Sequence, residues 1–227
     1  MKCKVLFAVI VFQCGSLMAQ AQQDSLLPIP HSRISIAGGL GVSLVNAADV
    51  VDYINGLQLQ QGRLDDFTSA AEFFGLLEVT INESFGMKLE YSYLLKSYSL
   101  QQVYAPDAEF TCTIHMPTLI AQYLTVGPGY AFKFGGGIGY HIATFVENYT
   151  LSNKEYVSKG IGLKIEAEAN TAFDDHLYAC IAVDARKNIM GEFASSDGAM
   201  MYISTHSTNA TMSLFSLGAK FGLEYYF

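Results

Sequence analysis

Phe215-Ser216-Leu217-Gly218-Ala219-Lys220-Phe221-Gly222-Leu223-Glu224-Tyr225-Tyr226-Phe227 alternates without a break. A period of two places the odd and even positions on opposite faces of one strand. The odd face is apolar and ends in aromatic rings. The even face carries glycines and the opposite charges Lys220 and Glu224. A soluble β-sandwich or lipocalin-like barrel would bury the apolar face and turn charge to water. In a small membrane barrel the arrangement is reversed. Lipid meets the apolar face, and a narrow lumen is filled by long charged side chains with small residues beside them.

The same alternation recurs upstream. Ile34, Ile36, Leu40, Val42 and Leu44 alternate with small residues. Phe73, Leu77, Val79 and Ile81 alternate with Glu72, Glu78, Thr80 and Asn82, although Phe74 and Leu76 blur the second face. Phe85 to Leu95 alternates with Gly86, Lys88, Glu90, Ser92 and Lys96. Tyr130 to Ile142 alternates with Lys133, three glycines and His141. Ile161 to Ala169 alternates with Lys164, Glu166 and Glu168, and Leu177 to Val183 with Tyr178, Cys180, Asp184 and Arg186. Thr113 to Thr125 is apolar but alternates poorly around Pro117, which predicts a strand with a bulge or bend.

These are eight strands, and their spacers alternate in length. Asn46–Ala70, Ser97–Cys112, Val146–Ser158 and Lys187–Ala210 read as long loops. The breaks at 82–84, 126–129 and 174–176 are tight. Long outer loops and short periplasmic turns are the rhythm of outer-membrane barrels. The expected fold is therefore all-β, an eight-stranded antiparallel up-and-down transmembrane barrel over residues 33–227. Aromatics near strand ends (Phe85, Tyr91, Tyr93, Tyr130, Phe132, Tyr140, Phe221, Tyr225, Phe227) suit interfacial girdles. Within Asn46–Ala70, Val50, Val51, Ile54 and Leu57 fall at helical spacing, which predicts a short amphipathic helix in the first outer loop.

Hydrophobic residues make up 51% of the chain, yet no run suits a spanning helix of roughly 20 residues. Lys2 and Lys4, the apolar run Val5–Phe12 and Ala19-Gln20-Ala21 read as a secretory leader over 1–21, cleaved before Gln22. A polar lead follows over 22–32. Loss of Lys2 and Lys4 leaves 11 basic against 21 acidic residues, a charge of about −10. That balance argues against nucleic-acid binding. Cys112 and Cys180 remain and are expected as free thiols at opposite ends of the barrel.

The ending Lys220, Gly222, Tyr225 and Phe227 resembles the C-terminal signal of outer-membrane barrels, which implies recognition by the barrel-assembly machinery. Ile114-His115-Met116-Pro117-Thr118-Leu119-Ile120, Gly127-Pro128-Gly129-Tyr130 and Gly135-Gly136-Gly137-Ile138-Gly139-Tyr140 resemble the outer-membrane β-barrel domain family common in Bacteroidetes, which includes PorT-like, porin-like proteins. The chain departs from that family at Ala121-Gln122, where a basic residue usually precedes the tyrosine. The resemblance implies bacterial outer-membrane location and fold more than activity.

The predicted inward face carries Glu72, Glu78, Lys88, Glu90, Lys96, Lys133, His141, Lys164, Glu166, Glu168, Asp184, Arg186, Lys220 and Glu224. Six cations against seven carboxylates predict a mutually paired network rather than an ion path, because unpaired buried charge is costly. The acid excess is assigned to loops and turns, as at Asp65, Asp66, Asp107, Glu109, Asp174 and Asp175. His206-Ser207-Thr208-Asn209 loosely resembles the His-x-Ser-Asn pattern of a lipid A deacylase family, with Thr208 at the nucleophile position and no partner evident. The histidines lack metal-ligand spacing. The expectation is a non-enzymatic structural or interaction protein with no catalytic, cofactor or metal site. Its partners are membrane lipids, the assembly machinery and an extracellular or envelope protein. Tyr98, Tyr104, Phe193, Met200, Met201 and Tyr202 are the apolar contact candidates on the loops. A small-solute channel and a lipid A enzyme are the alternatives.

Overall fold

A computed structural model describes residues 33–57, 69–100, 108–149 and 152–227. The predicted leader, the lead, Asp65, Asp66, Tyr104 and Asp107 lie outside the described residues. No described helix is long and apolar enough to cross a membrane. The principal strands are β1 (Ile34–Val45), β2 (Ala70–Asn82), β3 (Phe85–Leu100), β4 (Ala108–Gly127), β5 (Tyr130–Tyr149), β6 (Ser152–Ala172), β7 (Leu177–Met190) and β11 (Phe215–Tyr226). One helix, α1 (Ala48–Gly56), and three two-residue strands, β8 (Ala194–Ser195), β9 (Tyr202–Ile203) and β10 (Thr208–Asn209), complete the described elements.

The eight long strands pair antiparallel in the order β5-β4-β3-β2-β1-β11-β7-β6, and β6 returns to β5. The sheet is thus closed, with Ser35 opposite Tyr226 and Tyr130 opposite Thr171. Closure leaves no long strand with an open edge. The sequence periodicity becomes two surfaces. Leu40, Phe73, Leu89, Phe134, Ile165, Val183, Phe221 and their neighbours are exposed around the outside, while Glu72, Lys88, Lys133, Arg186 and Glu224 are buried inside. An unbroken apolar exterior of this kind is a lipid-facing wall rather than a water-facing one.

Both β1 and β11 bring the chain ends to the same end of the barrel as the tight turns. In one turn, Asn82 Oδ1 accepts from the backbone N–H groups of Ser84 and Phe85 at 3.0 and 2.9 Å. In another, Pro128 precedes Gly129 with φ 74°, the left-handed second corner residue of a type II turn.

Three strand-level expectations are corrected. β4 has no bulge at Pro117. Its register with β5 is the same at His115–Ile142 and Thr118–Gly139, and the ladder merely skips Met116 and Pro117 between them. Proline lacks the donor for that side but keeps its place opposite Tyr91 of β3. Second, much of the predicted loops Ser97–Cys112 and Val146–Ser158 is strand, since β3 resumes as β4 at Ala108 and β5 runs to Tyr149. Beyond the lipid the two faces exchange character, with Phe110, Cys112 and Ile114 inside and Glu109, Thr111 and Thr113 outside, so the apolar-out pattern ends while the backbone ladder continues. Third, Lys187–Ala210 is not one loop, for β7 extends to Met190 and β8, β9 and β10 follow.

Candidate functional site: a charged lumen under an apolar cap

The lumen is built in two storeys. Toward the turn end, the even positions of β2, β3, β6, β7 and β11 and Lys133 of β5 converge as an ion-paired layer. Arg186 Nη2 lies 2.5 Å from Glu72 Oε1 and 3.0 Å from Asp184 Oδ2. Lys220 Nζ reaches Glu90 at 2.7 Å and Glu166 at 2.9 Å, and Lys164 Nζ reaches Glu90 at 2.6 Å. Lys88 Nζ bridges Glu166 and Glu168, both at 2.6 Å. Lys133 Nζ gathers Glu78, Glu168 and Glu224 at 2.7, 3.1 and 2.9 Å. Hydroxyls complete the shell. Ser35 Oγ donates to Glu224 at 2.6 Å, Ser43 Oγ to Glu72 at 2.5 Å, and Ser92 Oγ to Glu90 at 2.9 Å.

The interior positions without side chains make room for those with long ones. A β-carbon on Gly162 would fall 1.9 Å from His141 Cε1. His141 is thereby seated between Asn188 Oδ1, 2.9 Å from Nδ1, and Thr118 Oγ1, 3.3 Å from Nε2. Phe74 and Leu76, which blurred the pattern of β2, are both inside and pack with Cys180 and Ala37. The ring of Phe74 carries Lys220 Nζ 4.9 Å from its centroid.

The storey toward the loop end is apolar. Leu94, Phe110, Cys112, Ile114, Met116 and Phe145 line it from the wall. Helix α1 lowers Val50, Val51 and Ile54 onto them, and Phe193, Met201, Ile203, Met212 and Leu214 close over the remainder. The rings of Phe110 and Phe145 stack at 6.0 Å, and Tyr53 meets Phe145 edge-on at 6.0 Å. Polar clasps hold the helix down. Thr211 donates to Asp49 Oδ2 from its backbone N–H and its hydroxyl, each at 2.9 Å. His206 Nε2 lies 3.3 Å from Asp52, and the Tyr53 and Tyr156 hydroxyls are 3.5 Å apart. Burial raises the Glu147 carboxyl above the usual carboxylate range and, with the neighbouring Glu147, raises the Tyr53 hydroxyl too.

A charge placed in this seam has no partner, and burying one costs several kcal/mol unless it is paired. Val51→Asp is therefore expected to release the cap while the closed sheet persists. Limited proteolysis of the purified barrel checks this: new cleavage between residues 46 and 69 with unchanged heat-modifiable gel mobility is expected, and cleavage no faster than wild type would contradict the cap's packing.

The predicted network residues Lys88, Glu90, Lys133, Lys164, Glu166, Glu168, Asp184, Arg186, Lys220 and Glu224 are all buried in the lumen, as are Glu72, Glu78 and His141. Lys96 is the correction. It shares their strand face but is only half-buried, near the rim, with Nζ 5.4 Å from the Tyr98 ring centroid. Without it the layer holds five cations, not six. Phe193 and Met201, read as loop contact residues, are fully buried under the cap. Met200 and Tyr202 are exposed, at 48% and 53%. Cys112 and Cys180 are free and buried, as expected. The assembly-signal positions divide by face: Lys220 and Gly222 point inward, while Tyr225 and Phe227 are exposed with ring centroids 5.5 Å apart. His206 and Asn209 of the deacylase-like stretch pair with Asp52 and Glu192.

No family model matches the sequence, and no curated protein matches it. Solved structures do. Neisserial surface protein A superposes with a TM-score of 0.50 at 12% identity, over 86% of this chain and 98% of that one. Ail, the attachment invasion locus protein of Yersinia pestis, solved with the heparin analogue sucrose octasulfate, gives 0.50 at 11% identity over 86% and 97%. OprG from Pseudomonas aeruginosa gives 0.48 at 14% over 89% and 99%. At such identities the likeness is one of fold: the chain has the architecture of the small outer-membrane β-barrels.

Proposed function

We propose that the protein is a closed, non-enzymatic barrel of the bacterial outer membrane, exported by a leader cleaved before Gln22, whose outer surface serves a structural or interaction role. The observation that carries this reading is the double closure of the lumen. An ion-paired layer fills one storey and an apolar cap the other, so the described residues leave solutes no continuous aqueous path. Rigid scaffolds present recognition surfaces on their connecting segments. The exposed Met200 and Tyr202 are the apolar contact points available there. The Gly-rich β5 and the Pro117 strand support a PorT-like assignment within this class.

Ail was solved with a polysulfated ligand. The described part of the loop end is acidic, with Asp49, Asp52, Glu109, Glu155, Glu192 and Asp197 against Lys96, Lys154, Lys159 and Lys187, so a polyanion is disfavoured by long-range repulsion. A neutral or basic envelope or extracellular protein fits better. The barrel-assembly machinery is the expected partner during insertion, through Lys220, Gly222, Tyr225 and Phe227.

Planar-bilayer recording of the purified barrel tests the closed lumen. The expected result is a flat trace at voltages where porins conduct. Steady single-channel steps from the wild-type protein would transfer the reading to a small-solute channel. Altered lipid A masses in a deletion strain would transfer it to a lipid A enzyme instead.

A further inference from the structure

The two storeys conceal an imbalance of charge. Within the ion-paired layer Arg186, Lys164, Lys220 and Lys88 serve Glu72, Glu90, Asp184 and Glu166, and Lys88 is shared with Glu168 at 2.6 Å. Glu78 and Glu224 have Lys133 as their cation, and Lys133 also stands 3.1 Å from Glu168. Seven carboxylates minus five cations leaves the layer a surplus of two negative charges, and at its turn end three carboxylates share Lys133.

That corner is oxygen-rich beyond what Lys133 uses. The ammonium donates to Glu78 and to both oxygens of Glu224, with Glu168 beside it at 3.1 Å. Glu78, 1% exposed, keeps its second oxygen, Oε1, without a hydrogen-bond partner among the described residues. Asn170, 3% exposed, donates its amide nitrogen to Glu224 and keeps its carbonyl oxygen unpartnered as well. One oxygen from each of Glu78, Glu168 and Glu224 can be chosen so that all three lie within 4.8 Å of one another. Two oxygens on opposite sides of a calcium ion, each at about 2.4 Å, stand about 4.8 Å apart, whereas magnesium at about 2.1 Å demands a tighter and near-octahedral cage. Carboxylate and amide carbonyl oxygens are the donors calcium prefers.

We propose that Glu78, Glu168, Glu224 and the Asn170 carbonyl bind one calcium-sized divalent cation beside Lys133, neutralising the surplus of the layer. The site is buried between strands β2, β5, β6 and β11, and the edge-on pair Tyr178–Tyr226, 5.1 Å between centroids, lies at the same end of the barrel. The ion then belongs to the folded barrel rather than to its surface. It staples β2 to β6 and β11, strands that are not neighbours in the sheet.

The test uses the full-length barrel, folded in detergent with calcium and passed through gel filtration. Metal analysis is expected to find about one calcium per chain. Terbium added to calcium-depleted barrel is expected to luminesce on tyrosine excitation, with Tyr178 and Tyr226 as antennae, and calcium is expected to quench that signal by displacement. The wild-type thermal midpoint should rise about 3–6 °C for each tenfold increase in free calcium above the dissociation constant. Glu78→Gln should retain no calcium and show a midpoint independent of it. If that variant fails to fold, the wild-type terbium and thermal titrations still decide. No retained calcium, no displaceable terbium and a flat midpoint would overturn the site. So would the infrared band of protonated carboxyl groups in calcium-free barrel at neutral pH that calcium does not remove, since protons would then supply the missing charge.

Discussion

Arg186→Ala is expected to lower the stability of the folded barrel by about 3–5 kcal/mol, the cost of leaving buried partners without their counter-charge. Arg186 is 2% exposed and holds Glu72 at 2.5 Å and Asp184 at 3.0 Å, with Glu90 at 3.7 Å. Its removal takes from Glu72 its ion pair and leaves Asp184 only the more distant Lys220 and Lys164, at 3.5 and 3.9 Å. Equilibrium urea unfolding in detergent, followed by circular dichroism or gel mobility because the chain has no tryptophan, checks the size of the loss. Arg186→Met with Glu72→Gln should recover much of it, since replacing both partners of a buried pair is far milder than removing one. The apolar cap lies above this layer, so the single variant should remain electrically silent in a bilayer. Stability unchanged within 1 kcal/mol would mean that water fills the layer.

Gly222→Val should reduce the folded barrel in outer-membrane fractions severely without affecting export. A β-carbon at position 222 would stand 2.6 Å from the Gly38 carbonyl oxygen, 2.8 Å from Phe74 Cζ and 3.1 Å from Cys180 Sγ. Gly222 faces Gly39 in the β1–β11 pairing that closes the sheet, so the clash falls on the seam itself. Overpacking a filled interior typically costs 1–3 kcal/mol, and here the nearest atom is backbone that cannot rotate away. Adding Phe74→Ala should restore only part of the folded yield, because it removes the ring but not the Gly38 carbonyl. Normal heat-modifiable yield of Gly222→Val would contradict both the seam geometry and the assembly-signal reading.

The sequence reveals the faces of this barrel more reliably than their depth. Alternation assigns Lys88, Glu90, Lys164 and Arg186 to the lumen because parity along a strand is a local property. Lys96 has the same parity and still lies outside the network, since height within the barrel depends on strand tilt and neighbour register. Val50, Val51 and Ile54 advertise an amphipathic helix, and the helix is there. Its target is invisible locally: Phe193 and Met201 look like any apolar residues on a connecting segment, and only their distance in space to Phe110 and Phe145 makes them a lid. The acid surplus of the layer is likewise hidden, because a balance of charges can be drawn only once the height of Lys96 in the barrel is known.

The unequal strand lengths have a consequence for how the molecule stands among its surroundings. β1 and β11 have 12 residues, whereas β5 has 20 and β6 has 21. A tilted transmembrane strand needs about 9–11 residues, so β1 and β11 end close to the bilayer boundary. The nine extra residues of β6, at roughly 3.3 Å each and tilted by about 40°, raise one side by about 20 Å. Among the described residues, β4, β5 and β6, of 20, 20 and 21 residues, form one high parapet. In a crowded leaflet of sugar-bearing lipids, that parapet clears the carbohydrate on one side only. Of the described strands, an antibody or a neighbouring cell would meet the β4–β6 ridge first, and from a preferred direction.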